Sequence, residues 1–226
     1  MSLFNDPNYV PPIKITLSER EAVTALRDAW NNFFGSYPSS QALAILTAQS
    51  CLETGRWREI MNNNFGNLKK IDGQKFTMFA TGENIYNAKL KKTEWHWFEP
   101  PHIQTAFRSY TSPEAGARDY IEFLADRKSS ETWRNNKYKE AFEYLKAGNP
   151  EKFSYALHEA GYYTANPKTY TDGVIRIYNE FLNKISDWFP ENHVPPEKFN
   201  LFNKIKNKIN LPSVNFKSLS KRINRK

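Results

Sequence analysis

Residues 48–55, with the sequence AQSCLETG, place a single carboxylate, Glu53, just before a glycine. An asparagine-rich segment, NNNFGN, follows at residues 62–67. A carboxylic acid held partly out of water can donate a proton to a glycosidic oxygen, and amide and aromatic groups beside it can bind sugar rings. The two segments together indicate acid catalysis on a carbohydrate.

The segment that carries Glu53 is predicted to be a helix over residues 41–53. It contains no proline or glycine, either Ser39 or Ser40 can cap its N-terminus, and Gly55 suits the left-handed position after a helix. Apolar residues recur with helical spacing on the face that includes Glu53. The helix dipole and partial burial are both expected to raise the pKa of its carboxyl group. The alternative is a solvated glutamate at a frayed helix end.

The elements that must position this carboxylate are predicted to be mainly α, in an α+β arrangement. Start and stop signals predict further helices at about residues 18–32, 113–127, 137–147, 150–161 and 171–188. The clearest start is Ser112 followed by Pro113, an N-cap residue and a proline in the first turn. Residues 68–111 lack helical periodicity and contain strand-like pieces, of which 103–110 is the clearest. We therefore expect a helical lobe beside a small β or irregular lobe.

The length of 226 residues suits one domain with an appendage. We predict a domain over residues 1–190 and a basic tail over residues 191–226. The tail holds nine Lys and Arg against two acidic residues, which accounts for +7 of the formal net charge of +8. The basicity therefore belongs to the tail and not to the segment around Glu53, although a poorly ordered extension is an alternative interpretation of the tail.

Nothing in the sequence indicates a cofactor or a metal site. The single cysteine, Cys51, cannot form an internal disulfide and is predicted to be a small packing residue. His96 and His102 lie near Glu94 and Glu99, but their spacing matches no metal-binding motif. There is no apolar run long enough to span a membrane, and the N-terminus lacks the features of a secretory signal.

Four pieces of the chain, in order and at plausible spacing, resemble glycoside hydrolase family 73, the peptidoglycan N-acetylglucosaminidases and flagellar-rod-type muralytic domains of the lysozyme-like superfamily. The resemblance covers about residues 18–185. The pieces are AQSCLETG at 48–55, NNFGN at 63–67, TE at 93–94 with FRSY at 107–110 and DY at 119–120, and AGYYTANP at 160–167 with Tyr170. Each piece alone is weak, whereas the ordered set is specific.

The resemblance implies a lysozyme-like fold with a substrate cleft and a peptidoglycan glycosidase, most simply an endo-N-acetylglucosaminidase. Glu53 would be the general acid. Glu94 would be the second carboxylate, with Glu99 and Asp119 as alternatives, and Tyr162 would line the cleft near the acid. The residues implied to bind substrate are Asn64, Phe65, Gly66, Tyr163 and Tyr170.

The chain also departs from the family pattern. Ala165 is inserted in the fourth piece, Asn166 replaces the usual aspartate, and the aromatic run WHWF at 95–98 has no assigned place. These departures leave open the length of the substrate and the identity of the second catalytic residue. Within the superfamily, inverting, retaining and substrate-assisted mechanisms are all alternatives. A muramidase, a lytic transglycosylase or a chitinase-like activity on the same fold is an alternative, and so is a non-catalytic module for wall binding or assembly.

The expected partner is the glycan strand of peptidoglycan. The basic tail is predicted to bind an anionic wall polymer, a membrane surface or a protein of a delivery machine, without specific recognition of nucleic acid. We expect synthesis in the cytoplasm and action on the cell wall after phage-type or secretion-system delivery.

Overall fold

The computed structural model describes residues 2–87, 92–125 and 137–190. Helices dominate these ranges: α1 Glu19–Phe34, α2 Ser40–Glu53, α3 Pro113–Leu124, α4 Lys139–Lys146, α5 Pro150–Glu159 and α6 Pro167–Trp188. The strands are β1 Lys14–Ile15, β2 Ile60–Met61, β3 Phe76–Met78, β4 Thr81–Asn87, β5 Lys92–Phe98 and β6 Ala106–Arg108. They form three antiparallel two-stranded sheets, β1 with β2, β3 with β6, and β4 with β5. The predicted mainly α fold with a small β lobe is confirmed.

The helix starts follow the capping signals in the sequence. Ser18 and Glu21 form a reciprocal capping box at the start of α1. Ser112 caps α3, and its hydroxyl accepts a hydrogen bond from the backbone of Ala115 at 3.3 Å. The last helix begins earlier than the predicted residue 171. Asn166 caps it and Pro167 occupies its first turn, which is itself a strong start signal.

The predicted strand at 103–110 is partly wrong. A short 3-10 helix, Ile103–Thr105, precedes β6. His102 stabilises this turn, because its Nδ1 accepts a hydrogen bond from the backbone of Gln104 at 3.1 Å. Of the predicted residues, Ala106–Arg108 form the strand β6, which pairs with β3.

Helix α2 lies at the centre of the core. Its buried residues are found on all sides and include the polar Thr47, Gln49 and Ser50. The predicted single inward face was therefore too narrow, because α1, α4 and α6 all pack against this helix. Cys51 is 1% exposed, and burial raises the pKa of its thiol to about 12, which confirms it as a packing residue.

No described helix is both long and apolar enough to traverse a bilayer. The basic tail, residues 191–226, lies outside the described residues, so the predictions about its partners and the domain boundary at residue 190 stay predictions.

Candidate active site

Glu53 is the last residue of α2, and its side chain is half-buried. As predicted, Ser39 caps the helix and Gly55 follows it in the left-handed conformation, with φ +56°. The helix therefore ends where the carboxylate can leave the core and reach a cleft.

The turn after Glu53 is left-handed beyond its glycine. Arg56 and Trp57 have φ values of +60° and +57°. For residues with side chains this conformation costs roughly 1–2 kcal/mol each, so the surrounding structure must hold it. Trp57 is fully buried, and its indole nitrogen donates to the hydroxyl of Ser50 at 3.0 Å.

Ion pairs hold Arg56 in its left-handed conformation. The guanidinium of Arg56 contacts Glu19 of α1 at 2.7 Å and Glu180 of α6 at 2.5 Å. Lys184 bridges the same two carboxylates, at 2.7 and 2.9 Å. Ion pairs thus connect the turn after Glu53 to the N-terminus of α1 and to the second half of α6.

The side chains of Tyr170 and Gln49 donate hydrogen bonds to the carboxylate of Glu53. The hydroxyl of Tyr170 lies 2.7 Å from its Oε1, and Nε2 of Gln49 lies 3.3 Å from the same oxygen. The buried Tyr120 hydroxyl in turn donates to Oε1 of Gln49, which fixes the orientation of that amide. Glu53 is therefore held by an ordered network and not by solvent alone.

Tyr170 and Tyr162 stay protonated over the neutral range. Burial, and secondly the nearby charge of Glu53, raise the pKa of both phenols well above the usual value. Tyr170 is thus a permanent donor to Glu53. Its ring also stacks on Tyr163, with the ring centroids 3.7 Å apart.

Gly66 allows three segments to meet beside Glu53. The hydroxyl of Tyr162 donates to the carbonyl of Gly66 at 2.8 Å. A Cβ atom at Gly66 would lie 2.5 Å from the ring of Tyr120 and 3.1 Å from the Tyr162 hydroxyl. The position therefore has no room for a side chain.

The asparagine-rich turn has a structural role in shaping the cleft. Asn64 is 4% exposed and forms three hydrogen bonds, two from its amide group to the carbonyls of Leu68 and Arg108 and one from the backbone of Leu68. Phe65 is fully buried, so its side chain lies in the core and not in the cleft. Its carbonyl accepts a hydrogen bond from Ser50 at 2.7 Å.

Two open cavities adjoin Glu53, which lines both. The larger, of about 590 Å³, lies between the helical lobe and the β4–β5 hairpin. Its lining includes Gly66, Lys69, Gly82, Trp95, Tyr162, Tyr163 and Tyr170. The smaller, of about 400 Å³, lies beyond the end of α2 and is lined in part by Arg58, Met61, Asn64, Asn67 and Phe79. A chain-like ligand can therefore extend on both sides of Glu53.

The three candidates for the second carboxylate lie in different surroundings. Asp119 is bound by Arg108 at 2.6 Å and by the hydroxyl of Tyr110, an arrangement typical of a structural ion pair. Glu99 accepts a hydrogen bond from the indole of Trp97.

Glu94 lies on β5, on the face opposite its neighbour Trp95, because side chains alternate along a strand. Trp95 lines the larger cavity, whereas Glu94 is not among the described residues that line either cavity.

Gln49 and Tyr120 belong to the site but were not predicted from the sequence. Gln49 precedes Glu53 by four residues, the spacing at which helical side chains meet, so it could have been found. Tyr120 reaches the site across 71 residues of sequence, and no local pattern indicates that contact. In the described residues, no group of His, Cys, Asp and Glu is arranged to hold a metal ion.

Comparisons with known proteins identify relatives of this chain. The peptidoglycan hydrolase FlgJ of Vibrio cholerae is 32% identical over 134 residues, which are 59% of this chain and 36% of that protein. The chain thus spans about a third of the length of the relatives it matches.

Two solved structures are similar at low identity. A peptidoglycan hydrolase mutant from Sphingomonas sp. A1 is 21% identical, with a TM-score of 0.49 and coverage of 74% of this chain and 97% of that one. The catalytic domain of the autolysin Auto from Listeria monocytogenes is 17% identical, with a TM-score of 0.49 and coverage of 74% and 84%.

The fold and the site define a helical domain whose central helix presents a glutamate to an open cleft. The glucosaminidase family model, described as mannosyl-glycoprotein endo-beta-N-acetylglucosaminidase, matches residues 39–183. The chain belongs to this family, which confirms the resemblance found in the sequence.

Proposed function

We propose that the protein is a peptidoglycan hydrolase that cleaves the β-1,4 bond after N-acetylglucosamine, with Glu53 as the general acid. The observation that carries the proposal is the placement of Glu53, half-buried and held by Tyr170 and Gln49 where two cavities meet. Membership of the glucosaminidase family supports the reaction, and the names of the FlgJ relatives support the substrate.

The geometry suits proton transfer to a bound glycan strand. Tyr170 and Gln49 both contact Oε1 of Glu53. These contacts hold the carboxyl group of Glu53 in a fixed orientation at the cleft, from which it would transfer its proton to the glycosidic oxygen. Tyr162, beside Gly66, is the residue we propose to orient the acetamido group or a water molecule. Tyr163 and Tyr170 provide a stacked aromatic wall in the larger cavity.

The role of the second carboxylate is a finer proposal. Among the three we propose Glu94, because the family resemblance implies that position and because Asp119 forms an ion pair with the buried Arg108. Because Glu94 lies on the hairpin face away from Trp95, its participation requires the hairpin to rearrange around the substrate. A substrate-assisted reaction, in which the 2-acetamido group is the nucleophile, needs only Glu53. A Glu94→Gln variant separates the two routes, since only the first loses activity with it.

The test is a digest of purified peptidoglycan by the wild type and by Glu53→Gln, with the products reduced by borohydride and identified by mass spectrometry. Loss of a general acid is expected to slow cleavage by about 10²- to 10⁴-fold. Glu143→Gln is a matched control, because Glu143 is exposed on α4 and pairs only with Lys146 among the described residues.

New reduced N-acetylglucosamine ends, made by the wild type and Glu143→Gln but not by Glu53→Gln, would support the proposal. Reduced muramic acid ends, or anhydro-muramic ends, would retain Glu53 but change the bond or the mechanism. Equal release by all three proteins would refute the role of Glu53, and no release by any of them would favour a wall-binding module. Delivery to the wall by a phage or a secretion system stays a hypothesis from the sequence.

A further inference from the structure

Two tryptophans on β5 are the most exposed large apolar residues in the described part of the chain. Trp95 is 64% exposed and Trp97 is 60% exposed. Exposed indoles that lie together commonly mark a binding surface, because leaving them in water forgoes a large burial of apolar area. The two tryptophans of the aromatic run at 95–98 therefore need an explanation that packing does not provide.

The two indoles share one face of the β4–β5 hairpin. They are two residues apart on a strand, and Gly82 lies directly opposite Trp97. The six-membered ring of Trp95 lies over Gly82, where a Cβ atom would be 1.9 Å from the ring. Gly82 is therefore the residue that lets this ring lie across the neighbouring strand.

The opposite face of the hairpin is already occupied. Phe98 stacks on His102, with the ring centroids 4.5 Å apart, next to the turn Ile103–Thr105. The Trp97 indole is itself oriented by a hydrogen bond to Glu99. Contacts on the opposite face of the hairpin and the bond to Glu99 thus hold the strand and the Trp97 side chain in place, while both indoles are exposed to solvent.

This face is continuous with the site that contains Glu53. Trp95 and Gly82 line the larger cavity together with Glu53 and Tyr162, and Trp97 lies one step further along the same strand. The two tryptophan Cα atoms are separated by about 6.7 Å at ordinary strand rise, a distance comparable to the length of one pyranose unit. The apolar C–H faces of pyranose rings stack on indoles, and the amphipathic indole edge can still contact water.

We infer that the Trp95–Trp97 face binds sugar units of the glycan strand that lie beyond those flanking the bond at Glu53. This inference rests on the proposed function for its ligand, and it assigns the strand a path from the cavity onto the hairpin. Longer fragments gain contacts with the two indoles, whereas a fragment that only fills the cavity beside Glu53 does not reach Trp97.

The test measures binding of soluble peptidoglycan glycan fragments to the full-length Glu53→Gln protein by calorimetry, so that no fragment is consumed. In this background, Trp95→Ala and Trp97→Ala are expected to weaken binding of an octasaccharide by about five- to twentyfold. Binding of a disaccharide should change less than about twofold in Trp97→Ala. Trp95→Phe should restore most of the octasaccharide affinity, because it retains a ring above Gly82.

Ile103→Ala is the matched control, since Ile103 is 58% exposed in the same lobe and does not line the cavity. It should bind every fragment as the parent protein does. Octasaccharide binding that is the same in Trp97→Ala and the parent protein would overturn the inference. So would tryptophan-dependent binding to vesicles of anionic phospholipid with glycan binding unchanged, which would instead make the face a membrane contact.

This experiment also separates the inference from the proposed function. If wild-type protein cleaves no fragment, yet octasaccharide binding depends on both tryptophans, the glycan-binding face stands and the hydrolase proposal falls. If wild-type protein cleaves the octasaccharide and the tryptophan variants bind and cleave it equally well, the hydrolase proposal stands and the glycan-binding face falls.

Discussion

A methyl group at Gly66 is expected to destabilise the protein, because this glycine is enclosed by two aromatic rings. Its Cβ would lie 2.5 Å from Cδ2 of Tyr120 and 3.1 Å from the hydroxyl of Tyr162. The Tyr120 ring is fully buried and cannot swing outward. The Tyr162 hydroxyl is held by the carbonyl of Gly66 itself. Overpacking of this kind costs about 1–3 kcal/mol of unfolding free energy.

Gly173→Ala is a control with the opposite expected sign. Gly173 lies within α6, and a Cβ there would meet the two methyl groups of Leu52 at 3.6 Å, an ordinary contact distance. Replacing a glycine by alanine inside a helix stabilises a protein by about 0.5–1 kcal/mol. Both substitutions replace glycine by alanine, so the difference between their changes in unfolding free energy reports on the space around each residue.

Both variants can be compared with the wild type by urea unfolding, followed through tryptophan fluorescence, and by calorimetry. For a chain of this size, 1 kcal/mol corresponds to a shift in Tm of about 2–4 °C. We expect Gly66→Ala to unfold at lower temperature and Gly173→Ala at slightly higher temperature than the wild type. A Gly66→Ala protein as stable as the wild type, or the reverse order of the two variants, would refute the close approach at Gly66.

Three further predictions concern the site and its support. Tyr170→Phe should lower kcat on glycan fragments by about ten- to hundredfold with little change in KM, because Glu53 loses a charge-assisted hydrogen bond, whereas Tyr178→Phe on the same helix should be unaffected in steady-state kinetics. Glu180→Gln should be less stable than the wild type at neutral pH. Hydrogen bonds from Arg56 and Lys184 lower the pKa of Glu180 from 4.5 to about 2. The extra stability of the wild type should therefore be present above pH 4.5 and be lost as the pH falls towards 2, which urea midpoints measured at several pH values would show. Asn64→Ala should lower the unfolding free energy by about 2–4 kcal/mol, measured by calorimetry, because three hydrogen bonds in a buried turn are lost together; a smaller loss than in an exposed asparagine variant would contradict this.

The helices could be predicted from sequence because their start signals are local. Ser112 caps α3 as predicted, Ser39 is the one of the two candidates that caps α2, and the glycine after Glu53 takes the expected left-handed conformation. The early start of α6 at Asn166 was missed because the asparagine and proline were interpreted only as a changed family signature.

Long-range contacts were not predictable in the same way. Pairing of β3 with β6 joins residues about thirty apart, and the contact of Tyr170 with Glu53 spans 117 residues. The sequence named Tyr170 through family resemblance, but it did not indicate a hydrogen bond to the carboxylate. For Asp119, the sequence suggested a catalytic alternative. The structure shows instead that it forms an ion pair with the buried Arg108, a contact that no local pattern indicates.

The ion-paired turn after Glu53 has a practical consequence for choosing a minimal folding unit. The family match runs from residue 39 to residue 183, but Arg56 depends on Glu19, which precedes that range, and the shared partner Lys184 follows it. A fragment trimmed to the matched residues would lose α1 and would also lack the buried Ile185. A fragment with the limits of the family match would therefore lack residues that hold the turn after Glu53. A recombinant fragment should extend from before Ser18 to at least Phe189.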